Sequence, residues 1–251
     1  MSDRSAIEWT EATWNPVTGC SKVSPGCAHC YAETLSQRFG RTAKPWTPEN
    51  ALENVSVHED RLHQPLRWKR PRMIFVNSMS DLFHEVVPDG FVRSVFDVMA
   101  SAERHTFQVL TKRPERALDL APTLTWPANI WLGVSIENSR FTWRANVLRD
   151  VPAAVRFISA EPLLGSLFEH GPRRAPLDLA HIDWLIAGGE SGAGYRPVNV
   201  EWVRELREAC AAQGVAFFFK QWGGRTSKSG GRELDGQIHD EMPVSDAATG
   251  S

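Results

Sequence analysis

The sequence predicts an α/β fold, a full or partial parallel β/α barrel, and three observations carry that prediction. Short apolar runs recur between Met73 and Gly223, each run ends in a polar tip, and helical spacing fills several of the gaps. The runs are Met73–Val76, Phe107–Leu110, Ile130–Val134, Val155–Ile158, Ile182–Ala187 and Val215–Phe219. They are rich in β-branched and aromatic residues and do not alternate with polar ones, as suits strands buried on both faces of a parallel sheet. Their tips read NSMSD, TKRPE, SIEN, SAEP, GGESG and KQWGG, and one more strand is expected ahead of a cysteine-bearing loop at 14–31.

Between the runs, Val92, Val95, Phe96 and Met99 fall on one helical face, with Asp89 as the expected N-cap. Val203, Leu206 and Cys210 form a second stripe that Gly214 closes as C′ residue, and 139–149 reads as a third helix. The connection 162–181 is rich in proline and reads as a loop with at most a short helix. Strands alternating with helices give right-handed βαβ units; a doubly wound open sheet is the rival topology. The expected organisation is one domain over 1–243 with an insertion at 40–72, one helical turn near 59–64, and a disordered tail at 244–251.

A hydrophobic content of 42% and a charged content of 23% are ordinary for a soluble enzyme. A formal net charge of −2 supplies no global attraction to nucleic acid. No apolar run reaches the length of a membrane span, and the opening MSDRSAIEWTE lacks the apolar core of a signal peptide. The expectation is a cytoplasmic protein with no membrane partner, where thiols stay reduced. Four cysteines in that setting argue against a disulfide framework. Cys210 is expected to pack as a small apolar residue on its helix.

The other three cysteines lie close together, in WNPVTGC (Trp14–Cys20) and CAHCY (Cys27–Tyr31). Cys27 and Cys30 have the spacing at which two thiolates reach one metal centre, and Gly19, Pro25 and Gly26 make the loop turn-rich. Residues 32–39 look helical, so Cys30 sits near a positive helix end that favours thiolate. Three readings are open. Three thiolates without a fourth suit a [4Fe–4S] cluster with one open iron. A zinc site would recruit His29 or another residue as fourth ligand, although His29 is expected to face solvent or a backbone carbonyl. The third reading is incidental cysteines on a loop.

The loop resembles that of the radical S-adenosylmethionine superfamily, whose C-x-x-x-C-x-x-C motif is followed by an aromatic residue. Cys27, Cys30 and Tyr31 match its second half, while the first gap is widened to six residues. From Ile7 to Pro243 the chain also resembles the phage-associated three-Cys-motif family, the phage gene product 37/68 family. The shared segments are WNPVTGC, CxxCYA, NSMSDLF, LTKRP, GVSIEN, SAEPLLG, GGESG and KQWGG with its LDG tail. The resemblance implies a TIM-like barrel of the radical type and a [4Fe–4S] cluster on Cys20, Cys27 and Cys30. It further implies S-adenosylmethionine as cofactor, a 5′-deoxyadenosyl radical as reagent, and a flavodoxin- or ferredoxin-like electron donor.

Functional groups of β/α barrels gather at the C-terminal strand ends, which makes each polar tip a candidate site. Asn77, Ser78, Ser80 and Asp81 stand where the superfamily binds the methionine amino group, although its Gly-Glu motif is absent here. Their plain alternative is helix capping and turn formation. Lys112, with Arg113, is a candidate for a cofactor carboxylate or a phosphate, or a solvated pair. Ser135, Glu137 and Asn138 are placed for ribose hydroxyls. Glu161 is an expected inward carboxylate, or a salt bridge at the rim. Gly188, Gly189, Glu190 and Ser191 form a turn that a ligand could approach closely, or simply a tight turn. Lys112, Glu161 and Glu190 are the catalytic candidates, and Lys220, Gln221 and Trp222 close the last strand. Arg67, Trp68, Lys69, Arg70 and Arg72 interleave cations with an aromatic, a pattern for phosphate contact with base stacking, or an exposed basic connector. NSMSD and TKRP also resemble segments of DNA-lesion-repairing radical enzymes. The reading is therefore a radical enzyme modifying or repairing a nucleotide or nucleic acid. Its alternatives are a metal- or cluster-stapled nucleic-acid-binding module and an iron–sulfur enzyme that does not use S-adenosylmethionine.

Overall fold

A computed structural model of the chain describes residues 5, 7–172 and 175–243; the tail expected at 244–251 lies outside them. The fold is of the α/β class. Its main sheet has seven strands in sequential order: β1 (Ala12–Trp14), β2 (Met73–Val76), β3 (Thr106–Thr111), β4 (Ile130–Ser135), β5 (Val155–Ala160), β6 (Trp184–Gly188) and β7 (Ala216–Gln221). β1, β2 and β3 pair in parallel, Ala12 opposite Ile74 and Ile74 opposite Phe107. β5, β6 and β7 do the same, Phe157 opposite Trp184 and Trp184 opposite Ala216. A doubly wound sheet reverses its order at a switch point, and this one does not. The order is that of a partial parallel β/α barrel.

The helices that matter here are α1 (Tyr31–Arg38), α2 (Asp89–Ser101), α3 (Pro114–Leu120), α4 (Trp143–Arg149) and α5 (Val200–Gln213). Gly214 ends α5 in the left-handed region at φ 68°, as its position predicts. Asp89 does not cap α2: Pro88 is the N-cap, and Asp89 is the first helical residue and pairs with Arg116 at 2.7 Å. The helix expected over 139–149 divides into a 3₁₀ turn, Ser139–Phe141, and α4. In the insertion, Glu59–Leu62 forms the expected turn, Ala51–Asn54 forms another, and Ser56–Val57 pairs antiparallel with Val17–Thr18.

The chain divides into two compact units. The first comprises Met1–Ser24, Cys30–Leu132 and Val151–Ala154; the second comprises Pro25–His29, Gly133–Asp150 and Val155–Ser251. In the first, Trp14 packs on Phe107 at 5.9 Å, and Phe96 lies between Phe83 and Trp126. In the second, Trp184 lies between Phe157 and Phe218. Burying each such ring contributes roughly 1.5–3 kcal/mol. Among the described residues, no helix is long and apolar enough to cross a membrane.

Candidate functional site

In the first unit the site grows from the tip of β2 and the loop that follows β1. Gly19 sits at φ 83°, and a Cβ there would lie 1.8 Å from the Asn54 carbonyl oxygen, so the loop requires glycine beside Cys20. The Gly19 N–H donates to the Met79 carbonyl at 3.0 Å. Side chains complete the attachment. Asn77 Oδ1 accepts from the Val17 N–H at 3.2 Å, and the Ser80 hydroxyl donates to the Val17 carbonyl at 2.9 Å. Asn15 Oδ1 accepts from the Ser78 hydroxyl and the Met79 N–H, and the Tyr31 hydroxyl donates to the Ser78 carbonyl at 2.6 Å. Asn77, Ser78 and Ser80, the expected cofactor binders, thus stitch the cysteine loop to its strand.

Cys20 adjoins a buried cluster of polar side chains. Arg113, only 9% exposed, donates from Nη1 to Cys20 Sγ at 3.6 Å and to Asp81 Oδ2 at 3.3 Å. Its Nη2 donates to the Ser21 carbonyl and hydroxyl, and its Nε to Glu85 Oε2 at 3.0 Å. Burial opposes the charge, but Asp81, Cys20 and Glu85 outweigh it and raise the arginine pKa, so the guanidinium is a fixed cation. Asp81 also accepts from the Phe83 N–H, the Thr111 hydroxyl and the Lys112 N–H. Beneath this lies His84, fully buried. Its Nδ1 accepts from the Val86 N–H, so a neutral ring carries its proton on Nε2 and donates to the Ser21 hydroxyl at 2.8 Å. Burial first, then the Arg113 charge, pushes His84 down to about 4. The third loop cysteine of the motif, Cys30, is the N-cap residue of α1, in extended backbone and with no side-chain cap hydrogen bond.

The second unit holds Cys27 through its neighbours. The 3₁₀ turn Pro25–Cys27 packs Gly26 against Glu137, and a Cβ on Gly26 would stand 2.4 Å from Glu137 Oε1. Glu137 is fully buried and paired with Arg144 at 3.1 Å; Arg144 also donates to the Ser135 carbonyl at 2.7 Å. Arg196 donates from Nη2 to the Pro25 carbonyl at 3.0 Å. His29 is exposed, as expected, and its Nδ1 also meets Glu190 Oε2 at 2.9 Å, a carboxylate partner that the sequence does not indicate. Glu190 also accepts from the Arg196 N–H and Nε, each at 2.9 Å, and from Arg196 Nη2. Burial works to raise the Glu190 pKa, but the hydrogen bonds from Arg196 and His29 prevail and hold it at about 2.

The remaining tips of that unit form a separate group. Lys220 Nζ and Glu161 Oε2 pair at 2.7 Å, with the Ser159 hydroxyl donating to Glu161 Oε1. Gly188 lies against Glu161, and Gln221 Nε2 donates to the Gly189 carbonyl and the Ser191 hydroxyl. Asn138 Oδ1 accepts from the Arg140 N–H and caps the turn after β4.

A family model described as "Protein of unknown function (DUF5131)" matches residues 4–243. The chain belongs to the DUF5131 family. No curated protein matches it. Among solved structures, "Spore photoproduct lyase complexed with dinucleoside spore photoproduct" is similar with a TM-score of 0.40 and 16% identity. That similarity covers 77% of the DUF5131 chain and 58% of the lyase chain, so this protein spans under two thirds of that structure.

In this DUF5131 chain the donor chemistry fits an iron–sulfur cluster. Three half-buried thiols are present, none in a disulfide, and one accepts a hydrogen bond from a fixed cation, as cluster sulfurs do. Cys20 and Cys30 belong to the first unit and Cys27 to the second. Among the described residues, no group of three His, Cys, Asp or Glu side chains is gathered to hold a metal ion. Cys210 is buried on α5, and burial pushes its thiol up to about 12, as an inert packing residue.

His84 and Arg196 are the residues of these clusters that the sequence does not single out, whereas Arg113 is expected only as one of a pair with Lys112. The KR pair in TKRPE was the available signal. Of that pair, the guanidinium of Arg113 meets Asp81 and Cys20, and the Lys112 backbone N–H donates to Asp81. Spacing alone does not tell which of two adjacent cations turns inward.

Proposed function

We propose that this protein is an iron–sulfur enzyme of the radical S-adenosylmethionine type, with a [4Fe–4S] cluster on Cys20, Cys27 and Cys30. Its substrate class is a nucleotide or nucleic acid, and a flavodoxin- or ferredoxin-like donor reduces it in the cytoplasm. The observation that carries the reading is the buried, permanently charged Arg113 against Cys20 Sγ. A cation fixed beside a sulfur favours the thiolate, the form that ligates iron. The motifs shared with the phage gene product 37/68 family support the same reading.

When bound, such a cluster supplies an open iron for the methionine end of S-adenosylmethionine and the electron that cleaves its sulfonium. The protein's own groups have other tasks. Asn77, Ser78 and Ser80 fix the cysteine loop on β2, and Asp81 aims Arg113. Lys220 and Glu161, a half-buried pair at the ends of β7 and β5, occupy the positions where β/α barrels place reacting groups.

The test is titration of anaerobically reconstituted protein with S-adenosylmethionine, followed by absorption and electron paramagnetic resonance. A perturbed cluster spectrum, then 5′-deoxyadenosine or methionine on reduction, is the expected result. A cluster indifferent to S-adenosylmethionine would reduce the protein to an iron–sulfur protein of another kind.

A further inference from the structure

The basic run that precedes β2 has no part in the pocket around Cys20. It lies at the other end of the strand. Arg72 immediately precedes Met73 and Asn77 immediately follows Val76, so about 16 Å of extended chain separates the two ends of β2. Arg104 and His105 precede β3 in the same way, and the Thr106 N–H donates to the Arg72 carbonyl at 2.9 Å. Trp68 meets the His105 ring at 6.1 Å, which draws the run and Arg104 into one surface of the first unit.

The charges there are exposed and unbalanced. Arg67, Lys69, Arg70 and Arg104 are all exposed. Among the described residues, none of these four has an ion pair or a side-chain hydrogen bond. No carboxylate occurs between Asp60 and Asp81. Of the nearest acids, Glu11 is turned to the Met73 N–H at 2.7 Å, and Glu103 adjoins Arg104 in sequence. His105 senses the surplus: burial lowers its pKa first, and Arg104 and Arg72 lower it further, against hydrogen bonds that raise it.

Trp68 offers less to a base than the cations around it offer to phosphate. The Arg72 guanidinium lies over its ring at 5.2 Å, so one aromatic face is occupied from within the chain. What is left is a set of guanidinium forks and one ammonium, the groups that bind phosphate oxygens. We infer that Arg67, Lys69, Arg70 and Arg104 form a docking surface for the phosphate backbone of nucleic acid, without base readout, at the end of the first unit's strands away from Cys20. The inference does not rest on the iron–sulfur reading, because it holds equally for a protein that binds no iron.

Fluorescence anisotropy of the full chain with a short labelled DNA duplex, over a range of salt concentrations, tests it. The expected slope of log K against log salt is about −3 to −4, from about four phosphates neutralised, with no dependence on base sequence. Replacing Arg67, Lys69 and Arg70 together by Ala should weaken binding about tenfold or more and flatten the slope by about one per cation removed. Arg104→Ala, a single exposed change, should flatten it by about one. All these side chains are exposed, so unchanged circular dichroism is expected alongside. Duplex binding that is absent, or unaltered in both variants, overturns the inference. So does capture of polyglutamate in preference to the duplex, which would assign the surface to an acidic protein. Iron content measured on the same samples separates this outcome from the fate of the cluster reading.

Discussion

Cys20 and Cys27 are held by opposite means. In the first unit a buried cation reaches the sulfur itself, and Arg113 is in turn fixed by Asp81, Glu85 and Ser21. In the second, the anchors act on the residues around Cys27: Arg196 on the Pro25 carbonyl, Glu137 against Gly26, and Glu190 on His29. The first arrangement sets the electrostatics of a thiol; the second sets the path of a backbone. Both use a carboxylate at a strand tip, Asp81 after β2 and Glu190 after β6, and each carboxylate is paired with an arginine. A tip carboxylate here holds a cation in place.

The contrast can be broken most forcefully at Arg113. Arg113→Met leaves Asp81 buried without its cation and should cost roughly 3–5 kcal/mol, read as a lower urea midpoint. A loss below about 1 kcal/mol would mean that the pocket is not organised around that charge.

The two loop glycines give the next largest effects. Gly19→Ala brings a Cβ to 1.8 Å from a backbone oxygen at a positive φ, whereas Gly26→Ala meets only the Glu137 side chain at 2.4 Å. Overpacking costs about 1–3 kcal/mol, and Gly19→Ala should fall at or above the top of that range and Gly26→Ala near the bottom. Hydrogen exchange should show the loosening confined to 15–22 in the former and 25–29 in the latter. The reverse ranking would show that the Cys27 turn is the more rigid of the two.

Acid should separate the regions more gently. Folded His84 binds its proton less readily than the unfolded chain, so its contribution is complete above pH 6.5 and is lost as pH falls toward about 4. Glu190 is depressed from 4.5 to about 2, so its contribution is complete above 4.5 and lost only as pH falls toward 2. Urea midpoints measured against pH should show the upper slope removed in His84→Asn and the lower one removed in Glu190→Gln. One slope common to both variants would contradict the assignment.

Much of the fold was legible because parallel strands buried on both faces write continuous apolar runs, and all six runs named from sequence are strands. α3 was not legible: Pro114 marks its start, but with Ala117 and Leu120 its apolar stripe is too short to show a period. The tips were legible as places, but their hydrogen-bond partners were not. Asn77 and Ser80 look like ligand binders because polar groups at strand ends often are. Here Val17, 60 residues from Asn77 in sequence, donates to Asn77 Oδ1 and accepts from the Ser80 hydroxyl, and no local pattern records that. His29 met the same limit, since its partner Glu190 lies 161 residues further on. Arg113 was visible only as half of a charged pair.

The central proposal is an iron–sulfur cluster on Cys20, Cys27 and Cys30, and metal analysis after anaerobic reconstitution tests it most directly. The expected result is about four irons and four sulfides per chain in the parent and in Cys210→Ala, with the cluster lost or reduced in Cys20→Ala, Cys27→Ala and Cys30→Ala. Stoichiometric zinc without iron, or full iron loading in any of the three loop variants, would contradict it.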